Sequence, residues 1–347
     1  MKLPIEHLLP NEPNMDEILA DIPRGQAPEG LMEGCLVVEG GAFRGLHTQG
    51  FLDAMMENGL NLSCVIGVSA GALAGANYVS GQIGRSARIN IAFRHDSRYI
   101  GAKSLLHSHS ILDVGFLTED RGILEPLDRA RFDRPDRRYV AVATNCETGE
   151  ATYFEKGHCS DILLAARASA TMPFISPAVM IDGVPYLDGG CSDAIPYRWA
   201  LAQGYEKVVV LRTRDRAFRD RGRVLRRADA LAETYVKRKL PGAGRVYRAY
   251  PAFSEQLSRR EQSAVNRIYR RYPALAAAFM DSYRRYNEAC DELEQLHEAG
   301  RLLHVCPSRP IEVGTIEGDV TKLRDLYLQG RQDCLDLLPA LRRYLSI

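Results

Sequence analysis

The stretch that most constrains the fold is an uncharged one, residues 58–84. It opens on an apolar run (Leu62, Cys64, Val65, Ile66) and closes on small residues suited to a helix (Ala70, Ala72, Leu73, Ala74, Ala76). Between them stands Gly67-Val68-Ser69-Ala70-Gly71. A Gly-x-Ser-x-Gly sequence joining a strand to a helix is the signature of a nucleophile elbow, a turn sharp enough to strain the serine backbone and hold its hydroxyl above the sheet. Gly67 and Gly71 are the residues such a turn needs, because strand and helix backbones nearly touch there and a Cβ would collide. The amide after the serine, at a helix N-terminus, then points where an oxyanion would form. The stretch is long enough to be taken for a membrane span. Its Asn61, Ser63, Ser69, Asn77, Ser80 and Gln82 and its many glycines fit a buried strand–turn–helix instead.

A second unit of the same kind precedes it. An apolar strand over 35–39 runs into Gly40-Gly41-Ala42-Phe43-Arg44-Gly45, and a helix follows over 46–58, with Phe51, Leu52, Met55 and Met56 available to pack on a sheet and Gly59 as its cap. A glycine-rich turn from strand to helix exposes several amides and suits an anion or oxyanion. A dinucleotide fingerprint would place glycines at 40, 42 and 45. Here they fall at 40, 41 and 45, and the next strand leads to the serine rather than to an acidic residue. Two such units back to back put both turns at the C-terminal edge of adjacent parallel strands, where open α/β sheets bind ligands.

Further strands are expected over 139–144 and 151–154, a helix capped by Ser160 running to Ala168, and a last parallel strand over 208–212 after a helix near 197–203. Two Asp-Gly pairs have different meanings. Asp182-Gly183 lies between short apolar runs and is a type I′ hairpin turn. Asp188-Gly189-Gly190 ends the second of those runs, back at the working edge of the sheet, and makes Asp188 the best candidate base in the chain. From residue 214 the composition shifts. The formal net charge is +1, yet from Arg216 onward 25 Lys/Arg face 17 Asp/Glu, against 20 and 27 before it. The basic stretch 216–274 is read as solvated faces of amphipathic helices, with an anionic lipid surface as the sharper alternative and nucleic acid not expected. A long helix over 274–299, a strand over 302–306 and two closing helices over 322–330 and 331–345 complete the chain.

Residues 1–33 lack an apolar core of the signal-peptide type and are expected to form a polar leader, with a short helix around 15–21. The eight cysteines show no Cys-x-x-Cys spacing and are read as reduced thiols of a cytoplasmic protein. His107 and His109 lack a third ligand at useful spacing, so no metal is expected, nor any cofactor.

The three motifs, in this order, resemble those of the patatin-like phospholipases, and more closely the bacterial cytosolic members: Gly40-Gly41-Ala42-Phe43-Arg44-Gly45, Gly67-Val68-Ser69-Ala70-Gly71 and Asp188-Gly189-Gly190, the last approached through Ala168-Ser-Ala-Thr-Met-Pro173. The resemblance covers about residues 34–213. It implies a three-layer α/β/α sandwich with a mostly parallel central sheet over 34–213; the region over 214–347 is read from its residues as basic and mainly helical. It also implies a lipid acyl hydrolase with a Ser69–Asp188 dyad, an oxyanion hole from the amides of Gly40, Gly41 and Ala42, and Arg44, Gly45, Gly67, Gly71, Gly189 and Gly190 in support. Contact with an anionic membrane surface would be peripheral. Ala42 departs from the family's glycine, which is tolerable at negative φ and crowded at positive φ. Two alternatives stand beside the dyad: a Ser69–Asp188–His304 triad, and a catalytically weak scaffold binding lipid or protein.

Overall fold

The computed structural model describes residues 15–96, 125–173, 176–220, 270–314 and 317–346. Its first half holds α1 (Met15–Ala20), β1 (Gly25–Gln26), β2 (Met32–Val38), a 3₁₀ turn (Ala42–Arg44), α2 (Gly45–Glu57), β3 (Leu62–Val68), α3 (Ala70–Ser80), β4 (Gln82–Ile83), α4 (Arg85–Ala92) and α5 (Arg129–Phe132). Then come β5 (Arg138–Asn145), β6 (Ala151–Glu155), α6 (Ile162–Ser169), β7 (Val179–Ile181), β8 (Val184–Asp188), a second 3₁₀ turn (Gly189–Cys191), α7 (Tyr197–Ala202), β9 (Val208–Leu211), α8 (Pro273–Glu298), β10 (Leu303–Val305) and α9 (Val320–Leu345).

Eight strands form one sheet in the order β10-β9-β2-β3-β5-β8-β7, with β6 also on β5. The ladders from β10 to β5 are parallel, and those of β6, β7 and β8 are antiparallel. The period-2 alternation of strand side chains sorts the core into two layers. Leu36, Val38, Val65, Tyr139, Ala141 and Val209 pack on α2, α3, α6 and α9. Their neighbours Cys35, Val37, Cys64, Ile66, Val140 and Val210 pack on α7 and α8. Both faces are covered, which is why the central strands carry near-continuous apolar runs.

The strand expected over 302–306 forms as β10, which extends the sheet beside β9. Three expectations are revised. The leader is not merely polar, because Met15, Ile18, Leu19 and Ile22 share a core cluster with Leu323, Leu326 and Tyr327 of α9. The two closing helices are one helix, Val320–Leu345. Gly330 does not break it. A Cβ there would lie 1.9 Å from His47 O, and one on Gly50 would lie 2.0 Å from Tyr327 O, so these glycines let α2 and α9 touch backbone to backbone. The cap of α6 is Asp161, which accepts from the amides of Leu163 and Leu164, while Ser160 donates to Asp182 at the neighbouring hairpin. That hairpin has φ +49° at Asp182 and +82° at Gly183, the two left-handed residues of a type I′ turn.

Candidate functional site

Ser69 has φ +56° and ψ −128°, a conformation that costs a non-glycine residue about 1–3 kcal/mol and persists only where the surroundings hold it. Two constraints hold it here. A Cβ on Gly67 would come within 2.4 Å of Gly71 O, and one on Gly71 within 2.4 Å of Val38 O, so α3 is locked at contact distance against both β3 and β2. From the far side, the Ser69 amide donates to Ser169 Oγ at 2.9 Å. Ser169 is the fully buried last residue of α6.

Strand pairing brings Asp188 alongside. On β5, β3 pairs with residues 138–142 and β6 with 140–144, so the two occupy opposite edges. β8 pairs with 143–145, overlapping β6, and therefore continues along the edge that β3 leaves. Val68 stands opposite Val142, and Asp188 opposite Ala143, the next position. The end of β8 thus abuts the end of β3, where Ser69 begins its turn. Backbone and side-chain bonds fix the aspartate: its amide donates to Thr171 O (2.8 Å), its carbonyl accepts from Thr144 Oγ1 (2.8 Å), and Oδ1 accepts from the Gly190 amide (2.8 Å). Burial pushes its carboxyl up to about 6; hydrogen bonds from the Gly190 amide and the Ser69 side chain pull the other way without cancelling that rise.

The glycine-rich turn covers the serine. A Cβ on Gly40 would fall 2.8 Å from Ser69 Cβ and 2.9 Å from Val68 O. Among the described residues, the amides of Gly40, Gly41 and Ala42 donate to no carbonyl or side chain. Ala42 has φ +49°, so its methyl does sit on left-handed backbone, the crowded alternative for that position. Arg44 closes the 3₁₀ turn, and Gly45, where a Cβ would meet Ala70 Cβ at 3.1 Å, lets α2 start against α3. Gly189 passes equally close to β5, with Val142 O at 2.2 Å from a would-be Cβ, while Gly190 supplies the amide on Asp188.

His304 does not join this group. It lies in β10, three strands from β3 along the sheet, with Glu294 Oε1 3.2 Å from Nδ1 and Cys306 Sγ 3.3 Å from Nε2. Burial, followed by the nearby arginines Arg212 and Arg216, pushes its pKa down to about 3, so it is neutral. The eight cysteines are all free thiols. Among the described residues no cluster of His, Cys, Asp or Glu could hold a metal ion, and no helix is long and apolar enough to cross a membrane. His107, His109 and most of the basic stretch 216–274 lie outside the described residues.

The Patatin-like phospholipase family model matches residues 36–201. This chain carries a patatin-like phospholipase domain. Residues 272–346, which contain α8, β10 and α9, match a domain of unknown function, DUF6363. The uncharacterized protein YjjU of Escherichia coli (strain K12) is 30% identical over 185 residues, 51% of either chain. The uncharacterized NTE family protein Rv1063c of Mycobacterium tuberculosis (strain ATCC 25618 / H37Rv) is 28% identical over 167 residues, 46% of this chain and 43% of that one. The chain thus spans about half the length of the curated relatives it matches. VipD from Legionella pneumophila is similar over 61% of this chain and 56% of its own, at 17% identity and a TM-score of 0.31.

Several residues that shape the site of the patatin-like domain escape a reading of the sequence. Ser169 and Thr171 sit in the Ala168–Pro173 approach, yet nothing local says that one holds the Ser69 amide and the other the Asp188 amide. Thr213 and Glu39 lie 174 residues apart and meet through the Thr213 amide and Glu39 Oε2 at 2.6 Å. Tyr286, 247 residues from Glu39, donates to its other oxygen at 2.7 Å. Such pairs are set by the sheet order, which no local pattern reveals.

Proposed function

We propose that the protein is a serine acyl hydrolase acting on lipid esters, with Ser69 as nucleophile and Asp188 as general base. The observation that carries this reading is the strained serine beside a buried carboxylate whose pKa has moved to about 6. A carboxyl of that pKa is ionised at neutral pH and accepts a proton more readily than an ordinary aspartate, while staying close enough to the working pH for general-base catalysis. Asp188 takes the Ser69 hydroxyl proton as Oγ bonds to the ester carbonyl carbon. The negative charge moves to the carbonyl oxygen, where the amides of Gly40, Gly41 and Ala42 receive it. The intermediate collapses with loss of the alcohol, which takes the proton from Asp188. Water, deprotonated by Asp188, then cleaves the acyl-enzyme to the free acid and restores Ser69.

Lipid esters as the substrate class rest on the patatin-like domain, whose family is one of lipid acyl hydrolases. Nothing specific favours the triad, because the partners of His304 are Glu294 and Cys306. The test is release of free fatty acid from phospholipid and lysophospholipid vesicles, measured by mass spectrometry for wild type, Ser69→Ala and Asp188→Asn. Release by wild type that both substitutions abolish supports the reading. Equal release by folded Ser69→Ala overturns it.

A further inference from the structure

Helix α8 belongs to the segment of unassigned function, yet it reaches the catalytic half of the molecule through two consecutive residues. Tyr286 Oη donates to Glu39 Oε1 at 2.7 Å. Glu39 Oε2 accepts from the Thr213 amide at 2.6 Å, and Thr213 Oγ1 in turn donates to Gly40 O at 2.7 Å. A Cβ on Gly41 would lie only 2.6 Å from that same Oγ1, so Thr213 supports the glycine-rich turn at both glycines. Arg212, fully buried, donates to Tyr286 Oη at 2.9 Å, and its Nε lies 3.8 Å from Glu39 Oε2. Next to Tyr286, Arg285 donates to Cys191 O at 2.6 Å, in the 3₁₀ turn that follows Asp188.

We infer that α8 is a brace for the active site, and that Tyr286 is a positioning residue for the oxyanion turn, acting through Glu39 and Thr213. This rests on the function proposed above. Glu39 stands between the end of β2 at Val38 and Gly40, so a carboxylate fixed at both oxygens sets where the turn leaves the sheet. It is buried, and a buried carboxylate holds its place only while its hydrogen bonds are complete. Removing the phenol hydroxyl frees one of the two oxygens. The turn then has more than one resting position relative to Ser69, and its amides lose the alignment that oxyanion stabilisation requires. Tyr286 is given no contact with substrate in the proposed mechanism, so the loss falls on the chemical step. The segment of unassigned function is on this account part of the catalytic unit: an enzyme cut before α8 lacks the brace.

The experiment uses the full chain and four variants, Tyr286→Phe, Thr213→Val, their double, and Arg284→Ala. Arg284 lies on the exposed side of α8, paired with Asp281 and Glu288. The readouts are the rate of phosphonylation by a fluorophosphonate probe, kcat and KM on a soluble p-nitrophenyl ester, and circular dichroism as a check of folding. Losing an oxyanion donor outright costs about 10²–10³ in kcat, and displacing the turn is expected to cost roughly tenfold. We expect Tyr286→Phe and Thr213→Val to fold, to label at Ser69 about tenfold more slowly, and to keep KM within about twofold. Because both break one chain of contacts, the double variant should lose little more than either single one. Arg284→Ala should match wild type. Labelling of folded Tyr286→Phe or Thr213→Val at the wild-type rate overturns the brace, as do fully multiplicative losses in the double variant. Should Tyr286→Phe fail to fold, Thr213→Val alone decides. A wild type that does not label at Ser69 refutes the proposed function and the brace with it, whereas a labelled wild type with unaffected variants refutes the brace alone.

Discussion

Asp188→Asn should make the protein inactive and more stable at once. Burial raises this carboxyl from 3.8 to about 6, so the folded state holds the proton more tightly than the unfolded chain does. Below pH 3.8 the group is protonated in both states and costs nothing. As pH rises from there to about 6 the unfolded chain ionises first and the folded state loses stability; above 6 the penalty is complete. About two units at 1.36 kcal/mol each make it roughly 3 kcal/mol. Asparagine keeps an oxygen for the Gly190 amide and removes the charge. Urea denaturation of the two proteins at pH 7.5 and at pH 3.5 isolates the effect, because every other titrating group cancels in the difference. We expect the variant to be more stable by up to about 3 kcal/mol at pH 7.5 and equal to wild type at pH 3.5. No gain at pH 7.5, or the same gain at both values, refutes the reasoning.

The same pKa governs activity. A base with a pKa of about 6 gives kcat/KM a single acid limb, half-maximal near pH 6 and about a tenth of maximal one unit below, and a limb near pH 4 in a pH–rate profile would contradict it. Ser169→Ala strips the Ser69 amide of its acceptor, so phosphonylation should slow and stability fall by about 1–3 kcal/mol in a urea titration, while Ser169→Thr restores part of both. Gly330→Ala places a methyl 1.9 Å from a backbone oxygen of α2 that has no room to move; a loss of about 3 kcal/mol or more is expected in thermal unfolding, and wild-type stability would show that the helices separate freely.

The parts legible in the sequence are those fixed by local chemistry. The elbow announces itself because close backbone approach requires glycine at both 67 and 71, and the hairpin because Asp182-Gly183 takes two left-handed residues in succession. The parallel core could be read from apolar runs that both layers of helices cover. What stayed hidden depends on elements far apart in the chain. Gly330 looks like a helix end, since glycine is poor inside a helix, and only the approach of α2 explains it. Met15, Ile18, Leu19 and Ile22 have helical spacing, but what they pack on, Ile89 and Ile91 of α4 and Leu323 and Tyr327 of α9, comes from elements elsewhere in the chain. Asp161 rather than Ser160 caps α6 because the neighbouring hairpin engages the serine, a contact between elements. Of the candidate site, the placement of the serine, the aspartate and the glycine-rich turn at one sheet edge was readable, and the residues that hold them in register were not.

The central claim, that Ser69 is a nucleophile activated by Asp188, is met most directly by covalent labelling with a fluorophosphonate probe, read by intact mass and peptide mapping in wild type, Ser69→Ala and Asp188→Asn. The account requires one adduct per wild-type chain on the peptide carrying Ser69, none in Ser69→Ala, and much slower labelling in Asp188→Asn. A folded wild type that stays unmodified, or that carries its adduct on another residue, contradicts it.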